Sequence, residues 1–491
     1  MANRTEIRRV FHAHHYDISI KTATWASMAV ILLMTLLFPI LSFPPTFGSY
    51  GSDMYFHSIG LSMVALVVCL IMLIFDLQKH EPALDFPLQY RALITTLLAA
   101  LAGIFYLTPA LSAIPQIPTI LFVLAVLFTI DITGAVLVEL LLVPRKLFGR
   151  YSLEELKSKF RFPKYYIIPF LFNLTDLKSM RKMGAAYMLV VVGLVSLFIG
   201  ELIGLVLLWV SIFGPSFLGA YVNSFGGISG TVQSIMDPHS HGVAVALMAI
   251  VIGLVVESFG VLKAKGWKKN LARIGMWLSG ISMFLLILVY LAGALVNYAP
   301  PTFFQSGPNG INGIAGDDSL ITMVFMGGIL SLVPLALTKF NGRSSFRDAL
   351  RASLLFTLLM WLVANAMAGF FIELNENSFS TNLAANDAAF SQFQPMVGIF
   401  FLTIIAMVLL AADYYGGKAP QRKLIGWSAG IGVLLAVAGG LSWVFIDSDV
   451  GSWYFWAYIL GILVVCVSIL LAIRLVYMTK IKYMDVKKLP L

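Results

Sequence analysis

The sequence predicts an all-α, polytopic membrane bundle of about twelve transmembrane helices, and three observations predict it. The 491 residues are 59% hydrophobic and only 12% charged, with a mean hydropathy of +0.90. A soluble domain carries about 25% charged residues. Twelve apolar runs reach about the 20 residues needed to cross a bilayer. All 33 Lys and Arg residues fall on one side of those runs, as cytoplasmic loops require. A soluble enzyme and a disordered chain are thereby excluded. The net charge of +9 belongs to topology, and no nucleic-acid partner is expected.

The runs cover residues 23–43, 57–77, 92–111, 117–143, 184–212, 240–262, 272–297, 319–338, 349–373, 394–412, 424–446 and 453–478. Residues 1–22 are polar and basic and form a cytoplasmic N-terminal segment, with no cleavable signal expected. Residues 23–478 form a single transmembrane bundle and 479–491 a cytoplasmic tail. Both termini are then inside, in a multi-pass protein of the cell membrane. The outer segments carry Asp53, Asp237, Asp317, Asp318, Glu376, Asp387, Asp447 and Asp449. Cys69 and Cys466 lie inside apolar runs and form neither a disulfide framework nor a zinc motif.

The longest inner segment is 144–183. Ser152-Leu-Glu-Glu155 reads as a capping box. Lys157, Lys159, Arg161 and Lys164, followed by Tyr165–Phe172, suit a helix lying on anionic headgroups, with a plain linker as the alternative. The outer segments Gly214–Asp237 and Asn297–Asp318 are rich in Gly, Ser, Asn and aromatics and read as an ordered cap.

Two spans open alike. His57-Ser58-Ile59-Gly60 starts the second, and His239-Ser240-His241-Gly242 starts the sixth. Both follow an Asp, at 53 and 237. The tenth opens Gln394-Pro395-Met396-Val397-Gly398, with no His. Twelve spans therefore read as three pseudo-repeats of four.

An ionisable residue at the membrane boundary is a functional candidate by default. His57 with His239 or His241 supplies a pair of axial ligands for a haem. On a helix, residues two apart diverge by about 200°, so only one of His239 and His241 can face a given ligand. Pro238 favours a helix start there, with Asp237 as its N-cap. If the chain is still extended, Asp237, His239 and His241 project together and, with His57, make a copper or zinc site. Hydrogen bonding to loop carbonyls is the structural alternative. His12, His14, His15 and His80 are cytoplasmic; the His12-Ala-His14-His15 cluster reads as solvated, with metal binding as the alternative.

Four carboxylates fall inside spans: Asp131 and Glu139 on the fourth, Glu201 on the fifth and Glu257 on the sixth. No Lys or Arg is expected at their depth, which favours the neutral acids. They are candidates for a proton pathway or for an ion-coupled transport site, and hydrogen bonding to a neighbouring helix is the plain alternative. Pro109, Pro169, Pro334 and the Gly327-Gly328 and Gly439-Gly440 pairs could break spans, as in transporters. Tyr290, Trp443, Trp453 and Trp456 read as interface anchors. No phosphate loop, zinc-protease pair, nucleophile elbow or dinucleotide fingerprint occurs.

Twelve spans, both termini inside and a His at the outer end of the second span resemble the catalytic subunit of haem-copper oxidases and nitric oxide reductases. The end of the tenth span, Asp413-Tyr414-Tyr415, and of the eighth, Lys339-Phe340-Asn341, are similar to that family. The resemblance implies three groups of four helices with ligands on the second, sixth and tenth. The departures are specific. Ser58 follows His57 where the family has Gly, the tenth span has no His-x-His, and the seventh lacks its His pair. The likeness then implies a relative without the dinuclear oxygen-reducing centre.

Together these readings predict a subunit of a respiratory or other redox complex. It would bind one b-type haem near the outer face and exchange electrons with a membrane quinol or an outer-face carrier. A proton-coupled transporter and a cofactor-free structural subunit are the alternatives.

Overall fold

Inside a bilayer each backbone N–H and C=O must be paired within its own segment, and the α-helix does this. Among its described residues the computed structural model has twelve α-helices, one for each apolar run. It describes residues 4–41, 49–75, 77, 88–107, 116–148, 183–213, 228–296, 316–340, 343–378, 393, 400–416, 419–447, 449 and 451–479. The helices are α1 (Arg4–Leu41), α2 (Ser49–Ile74), α3 (Leu88–Leu107), α4 (Gln116–Phe148), α5 (Ala185–Phe213) and α6 (Ile228–Ser258). They continue as α7 (Trp267–Val296), α8 (Gly316–Ala336), α9 (Ala349–Ser378), α10 (Leu402–Gly416), α11 (Gln421–Phe445) and α12 (Trp453–Met478). Among the described residues ten are long and apolar enough to cross a membrane, while α9 and α10 hold shorter apolar stretches. The chain is a multi-span membrane protein.

The basic inner segment over 149–182, with its capping box, lies outside the described residues, as do most of the outer cap and the opening of the tenth span. So do His80, the side chains of His12, His14, His15, Asp53 and Asp237, and the tail from 480 on.

Helix packing follows the chain in groups of four. In α1–α4 the first helix packs on the second and third, the second on the third and fourth, and the third on the fourth. The same contacts occur within α5–α8 and within α9–α12. The groups join through α4 on α5, α8 on α9 and α12 on α1, which closes a ring. The second helix of each group, α2, α6 and α10, turns inward, and these three touch one another. The apolar stretches of α2 and α6 are each 78% buried, against 39–56% in the other spans, which marks them as the core. Leu402 to Asp413 of α10 are buried without a break.

The ring's outside is apolar. On α7, Ile274, Trp277, Ile281, Phe284 and Leu288 form one exposed stripe at helical spacing, the face that lipid would cover. Lysines close helix ends, where free carbonyls need donors. Lys21 Nζ donates to Tyr477 O and Thr479 O, each at 2.7 Å, and Lys268 Nζ donates to Leu337 O at 2.5 Å.

Several expectations are corrected. Neither glycine pair breaks its span, because α8 and α11 run through them and use the missing Cβ for close packing. A Cβ on Gly327 would lie 2.6 Å from Gly275 O, and one on Gly439 2.6 Å from Tyr458 N. Without a hydrophobic drive between helices in lipid, such small residues let backbones meet. Pro334 sits near the end of α8 and does not interrupt it. Trp443 is not an interface anchor; it is buried and stacks on Tyr458 with ring centroids 5.9 Å apart. Tyr290 is buried too, whereas Trp453 and Trp456 are exposed.

Two glycines of α7 separate close packing from open space. A Cβ on Gly275 would lie 2.5 Å from Gly327 O, while one on Gly280 meets nothing nearer than Leu189 Cδ1 at 4.0 Å. Gly275→Ala is expected to cost about 1–3 kcal/mol. Gly280→Ala is expected to be neutral or stabilising by up to about 1 kcal/mol. Thermal unfolding of the purified chain in detergent checks both.

Candidate functional site

His57 and His239 face each other across two of the three central helices. Their rings are parallel to within 6°, with centroids 6.0 Å apart. His57 also meets Phe122 of α4 edge-on, at 5.6 Å. A polar stretch of α2 and of α6 precedes each histidine and an apolar run follows it, while the neighbouring α5 stays apolar for six residues past Gly204, so the pair lies about 9 Å or more inside that end of the bundle. Both helices begin earlier than their apolar pattern. α2 adds about 12 Å before His57 and α6 about 16 Å before His239, at 1.5 Å per residue.

His239 is seated on α5. Its Nδ1 lies 2.8 Å from Gly200 O. A carbonyl only accepts, so Nδ1 carries the hydrogen and Nε2 keeps its lone pair. One turn on, Gly204 leaves room for the ring, since a Cβ there would fall 2.6 Å from Nδ1. Along the same seam a Cβ on Gly200 would lie 3.0 Å from Val243 Cγ2. The signal was in the sequence as Gly200-x-x-x-Gly204 within an apolar run, and sequence reasoning passed over it.

His241 does not join the pair. Because α6 is already helical from Ile228, His239 and His241 diverge by about 200°. Asp237 is therefore inside the helix and is not its N-cap. The extended strand that would gather Asp237, His239 and His241 around a copper or zinc ion is absent. Among the described residues no three His, Cys, Asp or Glu side chains converge as a metal site. His241 Nδ1 is buried without a hydrogen-bond partner among the described residues.

The four acids have different surroundings. Asp131 is paired, contrary to the sequence expectation of no basic residue at its depth. Arg91 Nη1 reaches Asp131 Oδ1 at 2.9 Å and Oδ2 at 2.7 Å. Arg91 sits one turn into α3, and α4 runs 17 residues past Asp131, so the two meet at one level. Glu201 Oε1 accepts from Thr133 Oγ1 at 3.0 Å, and its Oε2 is buried with no hydrogen-bond partner among the described residues. Glu139 is buried, and Glu257 is partly exposed near the end of α6. The structure does not bring the four together.

A charge cluster that sequence reasoning missed closes the opposite end. Asp413 of α10 takes Arg351 Nε of α9 at 3.0 Å and Arg422 Nη2 of α11 at 2.5 Å. Arg422 also pairs with Asp348 at 3.0 Å, and Asp348 caps α9 through Leu350 N at 3.1 Å. Arg351 lies over the Phe259 ring, 4.9 Å from its centroid, which ties the cluster to α6. Asp413 had been noticed only as part of an aromatic helix end.

Breaking one partner of a desolvated pair leaves a bare charge. Arg91→Met is expected to lower stability by about 3 kcal/mol, and the double variant Arg91→Met/Asp131→Leu to recover most of it. Denaturation of the two variants in detergent reads the difference. Compared with protein-family models, with curated proteins and with solved structures, the chain matches none.

Proposed function

We propose that the chain is an integral subunit of a redox complex of the cell membrane. It holds one b-type haem between His57 and His239 near the outer face and passes electrons between a membrane quinol and an outer-face carrier. The facing imidazoles carry this reading. The rings are stacked as they stand, so each must turn about its side-chain bonds to aim a nitrogen inward; a metal then held at about 2 Å by both would set the centroids about 6 Å apart. The observed separation is 6.0 Å.

The surroundings support the same assignment. Gly200 O binds the Nδ1 hydrogen of His239, which orients the ring, raises its basicity and leaves Nε2 for an iron. The grouping of helices by fours, with α2, α6 and α10 in the middle, supports three pseudo-repeats and the likeness to haem-copper oxidases and nitric oxide reductases. A bound haem supplies a one-electron couple; the chain supplies the ligands, their orientation and an apolar setting. Neither α7 nor the described part of α10 contains His. Oxygen or nitric oxide reduction at a dinuclear centre is therefore no part of the proposal.

A reduced-minus-oxidised absorption spectrum of the purified chain tests this. A b-type band near one haem per chain is expected. His57→Ala and His239→Ala should abolish it, His241→Ala should keep it, and Gly204→Ala should weaken or shift it. A chain without the band, or a band indifferent to His57→Ala, overturns the reading in favour of a cofactor-free structural subunit.

A further inference from the structure

We propose that Glu201, with Thr133, is a proton-binding site inside the membrane, with the proton on Glu201 Oε2. This goes beyond the haem reading and stands without it.

The depth is fixed by the spans. Glu201 lies nine residues from the nearer end of its apolar stretch and Thr133 eight, about 12 Å or more along either helix. Glu201 is 8% exposed. Its two oxygens differ. Oε1 accepts the Thr133 hydroxyl at 3.0 Å, while Oε2 is buried and meets no donor among the described residues. A carboxylate there would leave half its charge without a donor in a medium that solvates charge poorly. A proton on Oε2 removes that charge, converting the carboxylate to the neutral acid with no bond made or broken to carbon.

The neighbours sharpen the contrast. Three helices pack on α5: α4, α6 and α7. Their titratable side chains toward this end are Asp131 from α4, His239 and His241 from α6, and Tyr290 from α7, with Glu139 of α4 and Glu257 of α6 toward the far end. Of the basic groups near these acids, Arg91 is bound to Asp131 through both oxygens, and Lys263 acts on Glu257 at the far end of α6. Asp131 therefore has a guanidinium partner on both oxygens, and Glu201 receives only a neutral hydroxyl. On α5 Glu201 projects about 100° round from Gly200, whose carbonyl takes the His239 hydrogen. A proton at Glu201 and a charge at His239 thus share one helical turn and act on each other through a low dielectric.

Dicyclohexylcarbodiimide, which attacks neutral carboxylic acids in apolar surroundings, is the probe. Water-exposed carboxylates are ionised at about pH 7 and resist it. The full chain in phosphatidylcholine vesicles should take up one equivalent, located by peptide mapping at Glu201, with Asp131 unmodified. Glu201→Gln should lose the adduct, and Thr133→Val should keep it. An unmodified Glu201 in the unmutated chain, or the same yield in Glu201→Gln, overturns the proposal. The unmutated chain decides without reference to folding of a variant. Its labelling is read separately from any haem band, so this proposal and the redox reading can fail independently.

Discussion

The mutual contact of α2, α6 and α10 is the constraint from which the rest of the bundle follows. In lipid the hydrophobic effect does not hold one apolar helix against another, because tails and side chains are equally apolar. Central helices must be held by shape and by polar contacts. The core here shows both. α5 lies on α6 through Gly193, Gly200, Gly204 and Gly253, where an added Cβ would strike the neighbouring helix. Asp413 fastens α10 to α9 and α11 through two guanidinium groups. Nine helices then close a ring round the three, and their lipid faces need only be apolar.

Where their sequence turns from polar to apolar, two of the central helices carry His57 and His239. The position is economical in physical terms. A histidine where a polar stretch gives way to an apolar run carries less of the cost of membrane depth than one at mid-span. Packing of the helices below it still fixes its ring. His239 is fixed twice, by the Gly200 carbonyl and by the gap at Gly204. The His239 ring is thus held in place by α5.

Much of this was legible in the sequence, and the limits have physical causes. The twelve runs appear as helices because apolar length is a sufficient signal in a bilayer. His57 and His239 could be singled out because an imidazole at a span's edge is unusual. The start of α6 could not be, since the polar stretch from Ile228 looks like a loop, yet the helix runs through it and past Pro238. That difference removed the extended metal site. Arg91 was misplaced because counting each residue from the end of its own apolar run ignores the stagger of the two helices: α4 runs 17 residues past Asp131, while α3 starts only three before Arg91. Trp443 read as an anchor because tryptophan prefers the interface, while its actual partner, Tyr458, lies on a different helix.

The glycines and the acids together bear on whether the bundle moves. Glycine pairs at membrane depth mark broken helices when the freed backbone lines a cavity. Here the same residues lie in continuous helices and are filled by backbone: Gly327 against Gly275, Gly432 against Val465 N at 2.9 Å, Gly439 against Tyr458. Helices joined backbone to backbone resist sliding, because any shift brings a side chain where only a hydrogen fits. An alternating-access motion would have to pass through those seams. Electron transfer between fixed ligands requires no such motion, and a proton reaching Glu201 requires only local rearrangement of one carboxyl and one hydroxyl. Close packing in the spans and polar groups held at single points are what the proposed electron transfer and proton binding would need.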